Sequence, residues 1–176
     1  MRTQQSLRQI ARTLRDHPSI RSKLDIAQST ATLGLTSDSA GQPGDDCAVL
    51  PTQDGYDLFA CEGFINAFVQ ADPWFAGWCG VMVNISDILS MGGHPKAVTN
   101  AIWAPSADKA QPVLAGMKAA SLAYGVPIVG GHTNLHTDEL QLSVSILGHA
   151  TNVISSFTAQ PGDVLICAVD LRGSYR

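Results

Sequence analysis

The stretch "DPWFAGWCGVMVNISDILSMGG", residues 72–93, is apolar on almost every side when wound as a helix. A helix of that kind is buried, so the rest of the chain must supply the elements that cover it. Asp72 is placed to cap it, Pro73 suits its first turn, and Gly92 and Gly93 end it. Trp74, Trp78, Val81, Ile85 and Leu89 are expected to form its inward stripe. Two polar residues break the pattern. Asn84 and Asp87 lie three apart on one face, with Gly80 one turn earlier. A buried carboxylate is costly without compensation, so Asp87 must meet a cation, a set of donors or a water-filled cleft. A structural bridge to a neighbouring loop meets that demand, and so does a functional site.

The flanking patterns supply the cover. "CAVLP" and "DLFACEGF" read as two strands around Asp54-Gly55, hence a hairpin. "PKAVTNAIWAP" reads as a third strand. "QPVLAGMKAASLAYG" reads as a second long helix, with Pro112 near its start and Gly125 after it. "VPIVGG" is a short buried strand. In "LQLSVSILG", Leu140, Leu142, Val144 and Ile146 point one way and Gln141, Ser143 and Ser145 the other. "VLICAVD" is expected as a last strand. This order predicts an α+β fold, with a layer of helices on a mixed, largely antiparallel sheet. The N-terminal residues predict an amphipathic helix, with Leu7, Ile10, Ala11 and Leu14 on one face and Arg8, Arg12 and Arg15 outside it. From there to Gly44 the chain reads as a long connection with room for one short element. The division is therefore 1–43 for the helix and connection, and 44–176 for the domain.

Of 176 residues, 45% are apolar and 15% charged, as in a folded domain rather than a disordered chain. The net charge of −4 and the lack of a basic run argue against nucleic acid as a partner. No stretch reaches the about 18 apolar residues that a membrane span requires. Cysteines at 47, 61, 79 and 167 form no C-x-x-C pair and sit in apolar runs. They are expected as buried free thiols in a reducing cytoplasm.

Carboxylates mark the candidate chemistry. Asp45 and Asp46 follow Gly44 at the entrance to the first strand. If the hairpin forms, Glu62, at the end of the second strand, comes toward them. Carboxylates gathered this way repel unless a cation lies between them. Hard oxygen ligands suit Mg²⁺, which completes its shell with water and phosphate. A solvated hairpin mouth is the alternative for any one of them. In "VGGHTNLHTDE", Gly130 and Gly131 permit close backbone approach to a ligand. His132 and His136 are four apart, but Thr133 stands where the zinc-protease pattern needs glutamate, which leaves a locally bonded loop histidine as the alternative. The chain has neither G-x-x-x-x-G-K-[ST] nor G-x-G-x-x-G, so a nucleotide would be held through metal-bridged phosphates. It has no G-x-S-x-G elbow.

"GDDCAVL", "NISDILSMGGHPKAV", "GVPIVGGHTN" and "TAQPGDVLICAVD", in that order, resemble the N-terminal domain of the aminoimidazole ribonucleotide synthetase superfamily. Selenophosphate synthetase, thiamine-monophosphate kinase and a hydrogenase maturation factor belong to it. The resemblance implies a homodimer whose paired sheets form a barrel-like core, with Mg-ATP in a cleft. It implies metal-binding roles for Asp45 and Asp46 (the "GDD") and Asp87 (the "SD"). Glu62 stands where relatives have aspartate. Nucleotide contacts are expected from Asn84, Asp87, Gly92, Gly93, Gly130, Gly131 and His132; the histidine resembles the selenophosphate branch, whereas the kinase branch has aspartate. Lys96 is either a phosphate contact or a surface lysine. The reactive Cys–Lys glycine-rich segment of selenophosphate synthetase has no counterpart here: Lys23 lacks its glycines and cysteine. The C-terminal half of the family fold is also missing, and a fragment is expected. The implied function is an ATP-dependent phosphoryl-transfer domain acting on a small-molecule acceptor the sequence does not specify. A dimerising scaffold without turnover and a metal-dependent hydrolase are the alternatives.

Overall fold

The structure is a computed structural model and describes residues 6–35 and 39–171. Helix α1 (Leu7–Arg15) forms where the 3.6-residue pattern predicts it, capped by Ser6, whose hydroxyl oxygen accepts the Gln9 N–H at 3.3 Å. Its apolar stripe finds no cover: Leu7 is 85% exposed. The expected long connection contains a 13-residue helix, α2 (Pro18–Thr30). His17 starts it by accepting the Ser19 N–H at Nδ1, and Pro18 occupies the first turn, where its missing N–H has no consequence.

The domain proper carries five strands and three helices: β1 (Ala48–Thr52), β2 (Gly55–Gly63), α3 (Asn66–Ala71), α4 (Pro73–Ser90), β3 (His94–Ala104), α5 (Ala107–Tyr124), β4 (Ile128–Leu135) and β5 (Gln141–Ala150). The sheet order is β1-β2-β5-β3-β4. Only the β3–β4 pair is parallel. The mixed α+β reading therefore holds. The sheet of this chain is open, not closed into a barrel.

The β1–β2 register, with Thr52 opposite Gly55 and Ala48 opposite Phe59, confirms the hairpin. Side chains alternate as the pleat requires. Val49, Leu58, Ala60, Leu142, Val144, Ile146, Val98 and Ile102 are buried on the helix side. Ala48, Phe59, Leu147 and Ala97 form a cross-strand row on the other face.

Asp72 caps α4 by accepting the Phe75 N–H at 3.1 Å. The buried residues of α4 are Ala76, Gly77, Cys79, Gly80, Val81, Asn84, Ile85 and Ile88. Val81 and Ile85 are buried as expected and Trp78 packs against the core, but Leu89 is 56% exposed and Trp74 37% exposed, so the large residues at the two ends of the expected stripe lie outside the buried face. The cause is α5. A Cβ on Gly77 would lie 2.0 Å from the Val113 carbonyl oxygen, and one on Gly116 would lie 1.9 Å from the Trp74 carbonyl oxygen. The two helices touch backbone to backbone through glycines, and Trp74 and Trp78 stack at 5.6 Å beside the contact.

Helix α5 begins five residues before Pro112, capped by Ser106, so this proline lies inside the helix rather than near its start. Helix α3 was not legible in "INAFVQA". The expected final strand, "VLICAVD", is not one: residues 164–170 have no regular structure, and Leu165 is 95% exposed. An apolar, β-branched run carries strand propensity, but a strand also needs a partner edge. No helix among the described residues is long and apolar enough to cross a membrane.

Candidate functional site

Of the predicted carboxylates, Asp46 is tied to the C-terminal end of α4, the helix that carries Asp87. That end closes as a Schellman motif: the Gly92 N–H donates to Leu89 O at 3.0 Å and the Gly93 N–H to Ile88 O at 2.9 Å. Gly92 has φ +76°, a left-handed value that favours glycine. Gly93 packs so tightly that a Cβ would lie 2.5 Å from Leu58 Cδ1. Both glycines therefore have structural duties at this turn. Ser90, in the last turn, lies 2.6 Å from Asp46 Oδ2 and 2.8 Å from the Asp87 carbonyl oxygen. That hydroxyl ties the "GDD" segment to the helix end. The Cys47 N–H, donating to Met91 Sδ at 3.1 Å, adds a second tie.

Asp45 faces the other way. It accepts the Ser155 hydroxyl at 2.6 Å, and the Ser156 hydroxyl and N–H at 2.8 and 3.4 Å. Burial pushes this carboxyl up, but the hydrogen bonds from Ser155 and Ser156 outweigh it and hold the group below the usual range. Asp45, Gln42, Tyr56, Met91, Asn152 and Ser155 help to line a cleft of about 460 Å³.

The buried thiol of Cys47 registers the whole group. Burial, then the charges of Asp87, Asp46 and Asp45, push it up to about 12. Three of the four predicted metal ligands thus act on one atom. Glu62 is not among those charges. It lies beyond the β1–β2 ladder, opposite Val144, and its carbonyl oxygen accepts the Ser143 hydroxyl at 3.1 Å. Among the described residues no group of three or more His, Cys, Asp or Glu side chains is placed to hold a metal ion by itself.

Asn84 is the one polar side chain fully buried among the described residues. Its Nδ2 donates to Gly80 O at 2.8 Å, while its Oδ1 has no hydrogen-bond partner. Gly130, Gly131 and His132 lie on β4, opposite Thr99, Asn100 and Ala101 of β3. A Cβ on Gly131 would come within 2.5 Å of Asn100, so its smallness admits that neighbour; nothing crowds Gly130. Lys96 sits at a bulge in β3 and donates to Asp57 Oδ1 at 3.0 Å. Lys96, then His149, hold the Asp57 carboxyl below its usual range. All four cysteines are free, but only Cys47 and Cys79 are buried, which corrects the expectation for Cys61 and Cys167.

Sequence reasoning missed the serines. Ser90 could have been found three residues after Asp87, on the same helix face. Ser155 and Ser156 stand in an irregular segment more than 100 residues from Asp45, and no local pattern signals them.

The open mixed sheet, with α4 and α5 packed on one face, is a fold that known proteins share. The profile of the AIR synthase related protein, N-terminal domain, matches residues 44–150, and the chain belongs to that family. An uncharacterized protein of Synechocystis sp. is 53% identical over 133 residues, covering 76% of this chain and 41% of its own length. A selenide, water dikinase of Clostridioides difficile is 33% identical (69% of this chain, 36% of the relative). A thiamine-monophosphate kinase of Synechococcus elongatus is 31% identical (70% and 41%). The chain thus spans less than half the length of these relatives. Among solved structures, tt0281 from Thermus thermophilus superposes with a TM-score of 0.65 at 25% identity (73% of this chain, 44% of that one). The PurL protein of T. maritima in complex with ATP superposes at 0.59 and 22% (65% and 21%), a likeness of fold.

Proposed function

We propose that residues 44–150 form the Mg-ATP-binding domain of an ATP-dependent phosphoryl-transfer enzyme acting on a small-molecule acceptor. The observation that carries this reading is the Ser90 hydroxyl, which links Asp46 to the last turn of α4 at the Asp87 carbonyl, with Asp45, next in sequence, lining the adjoining cleft. Such a group suits magnesium, which takes one or two carboxylates and completes its shell with phosphate and water rather than a full protein cage. Bound there, magnesium would bridge and neutralise the phosphates. Asp46 and Asp87 would hold it, oriented through Ser90, with Asp45 contributing from the cleft side. Glu62 would join through a bound nucleotide or after the domains pair. The unpartnered Asn84 Oδ1, one turn from Asp87, is an acceptor a bound group or water would satisfy. Gly130, Gly131 and His132 would approach the nucleotide from β4, and Gly92 and Gly93 from the helix end. Phosphoryl transfer asks the protein for positioning and charge neutralisation more than for a nucleophile. The relatives named above as a dikinase and a kinase support the class. We place the protein in the cytoplasm, as a homodimer.

Calorimetry with Mg-ATP tests the reading. Binding should require magnesium, and Asp87→Asn should weaken it about 10-fold or more, at least the effect of disturbing a ligand's support, with an unchanged thermal midpoint. An Asp87→Asn protein that fails to fold would make that carboxylate structural. Unchanged binding would move the site elsewhere. ATP consumed with phosphate release and no acceptor would favour a hydrolase, and a dimer that binds no ATP would favour a scaffold.

A further inference from the structure

A second cleft, of about 410 Å³, is lined by Trp103, Thr137, Asp138, Glu139 and Gln141. Strand β3 leaves the α4 end at His94 and stops at Ala104, so the length of the strand separates this cleft from Asp46. The loop between β4 and β5 that forms one wall is fastened. The Thr137 N–H donates to Ala104 O at 3.2 Å, and the Thr137 hydroxyl to Glu139 O at 3.0 Å. His136, just before, has φ +67°, a left-handed value uncommon for a residue other than glycine. Two amides then aim the Glu139 carboxylate: Asn66 Nδ2, from the start of α3, and Gln141 Nε2, at 3.5 Å, both donate to Oε2. Oε1 is left for another donor. The half-buried Trp103 lies opposite Gln141 in the β3–β5 register and forms the facing wall.

We propose that this cleft binds a small, flat organic cation, with its charge at Glu139 and its plane on Trp103. The inference stands apart from the Mg-ATP reading. The volume is that of a small-molecule site. The lining holds two carboxylates and no lysine or arginine, so it attracts positive charge and repels an anion. Of the aromatic side chains, tryptophan is the strongest partner for a cation, and a carboxylate already held by two amides loses little freedom when a ligand arrives. A bare metal ion fits less well. Among the described residues no group of three or more His, Cys, Asp or Glu side chains could hold one, and an indole wall offers it no ligand.

The test follows the indole N–H signals of the three tryptophans by magnetic resonance in the intact protein, assigned by replacing each with phenylalanine. Benzamidinium is the probe, and benzamide, of the same shape without the charge, is the control. Benzamidinium should shift the Trp103 signal saturably and leave those of Trp74 and Trp78 in place, with benzamide bound roughly 10-fold more weakly. Glu139→Gln, which keeps an acceptor for Asn66, should weaken benzamidinium binding roughly 10-fold. Asn66→Ala, which keeps the charge but frees the side chain, should weaken it less. Asp108→Asn, at an exposed carboxylate in the first turn of α5, should change nothing. Benzamide bound as tightly as benzamidinium would overturn the proposal. So would equal losses from Asp108→Asn and Glu139→Gln, which would mean a general attraction of charge, or a Trp103 signal that does not move.

Discussion

The Cys47 thiol is held up to about 12 by burial and by Asp87, Asp46 and Asp45, against an ordinary value of 9.0. At pH 8 the thiolate fraction is then on the order of one in ten thousand. Iodoacetamide should leave Cys47 unmodified in the folded protein while the exposed Cys61 reacts, as peptide mass mapping would show. Rapid labelling of Cys47 would mean that the thiol is not buried beside these charges. The raised value also sets a sign. The contribution is whole below 9.0 and is lost as pH rises toward the folded value, because only the unfolded chain ionises there. Asp45 and Asp57 act oppositely: both carboxyls are held below 3.8, so their contribution is present above that pH and fades as acid titrates the folded groups. Denaturant midpoints should therefore fall at both extremes and stay flat between about pH 5 and 8. At this scale the need of Asp45 and Asp46 for compensating partners was legible in the sequence, because carboxylates beside apolar runs demand it. The serines that provide part of it were not, since hydroxyls are unremarkable in any loop.

The pairing of α4 with α5 rests on Gly77 and Gly116, each facing the other helix's backbone. Gly77→Ala would force the helices apart or bend them. A loss of about 1–3 kcal/mol or more is expected, as for other overpacked interiors, measurable by urea unfolding. Gly125→Ala meets no neighbour, so only its left-handed φ of +69° opposes the change, and about 1 kcal/mol is expected. These two variants separate contact from conformation. Most elements here were legible: the hairpin, the alternating β5 and the capped α4 each had a period, a cap and a stop in agreement. The failures have identifiable causes. α2 hid behind a proline that starts it, α3 was too short to show a period, and "VLICAVD" had strand composition without an edge to pair with.

At the scale of the molecule, the open sheet face presents Phe59, 46% exposed, and Leu147 beside it, opposite the helix layer. If that face pairs two copies, as we propose, Phe59→Asp should convert the dimer to monomer in sedimentation velocity and leave the far-ultraviolet circular dichroism unchanged. The account as a whole depends on one ion at one place. Crystals grown with Mn²⁺ and a non-hydrolysable ATP analogue would show it by anomalous scattering. The account predicts a peak about 2.1 Å from carboxylate oxygens of Asp46 and Asp87, bridging the analogue's phosphates. A nucleotide bound with its metal remote from both residues would contradict it.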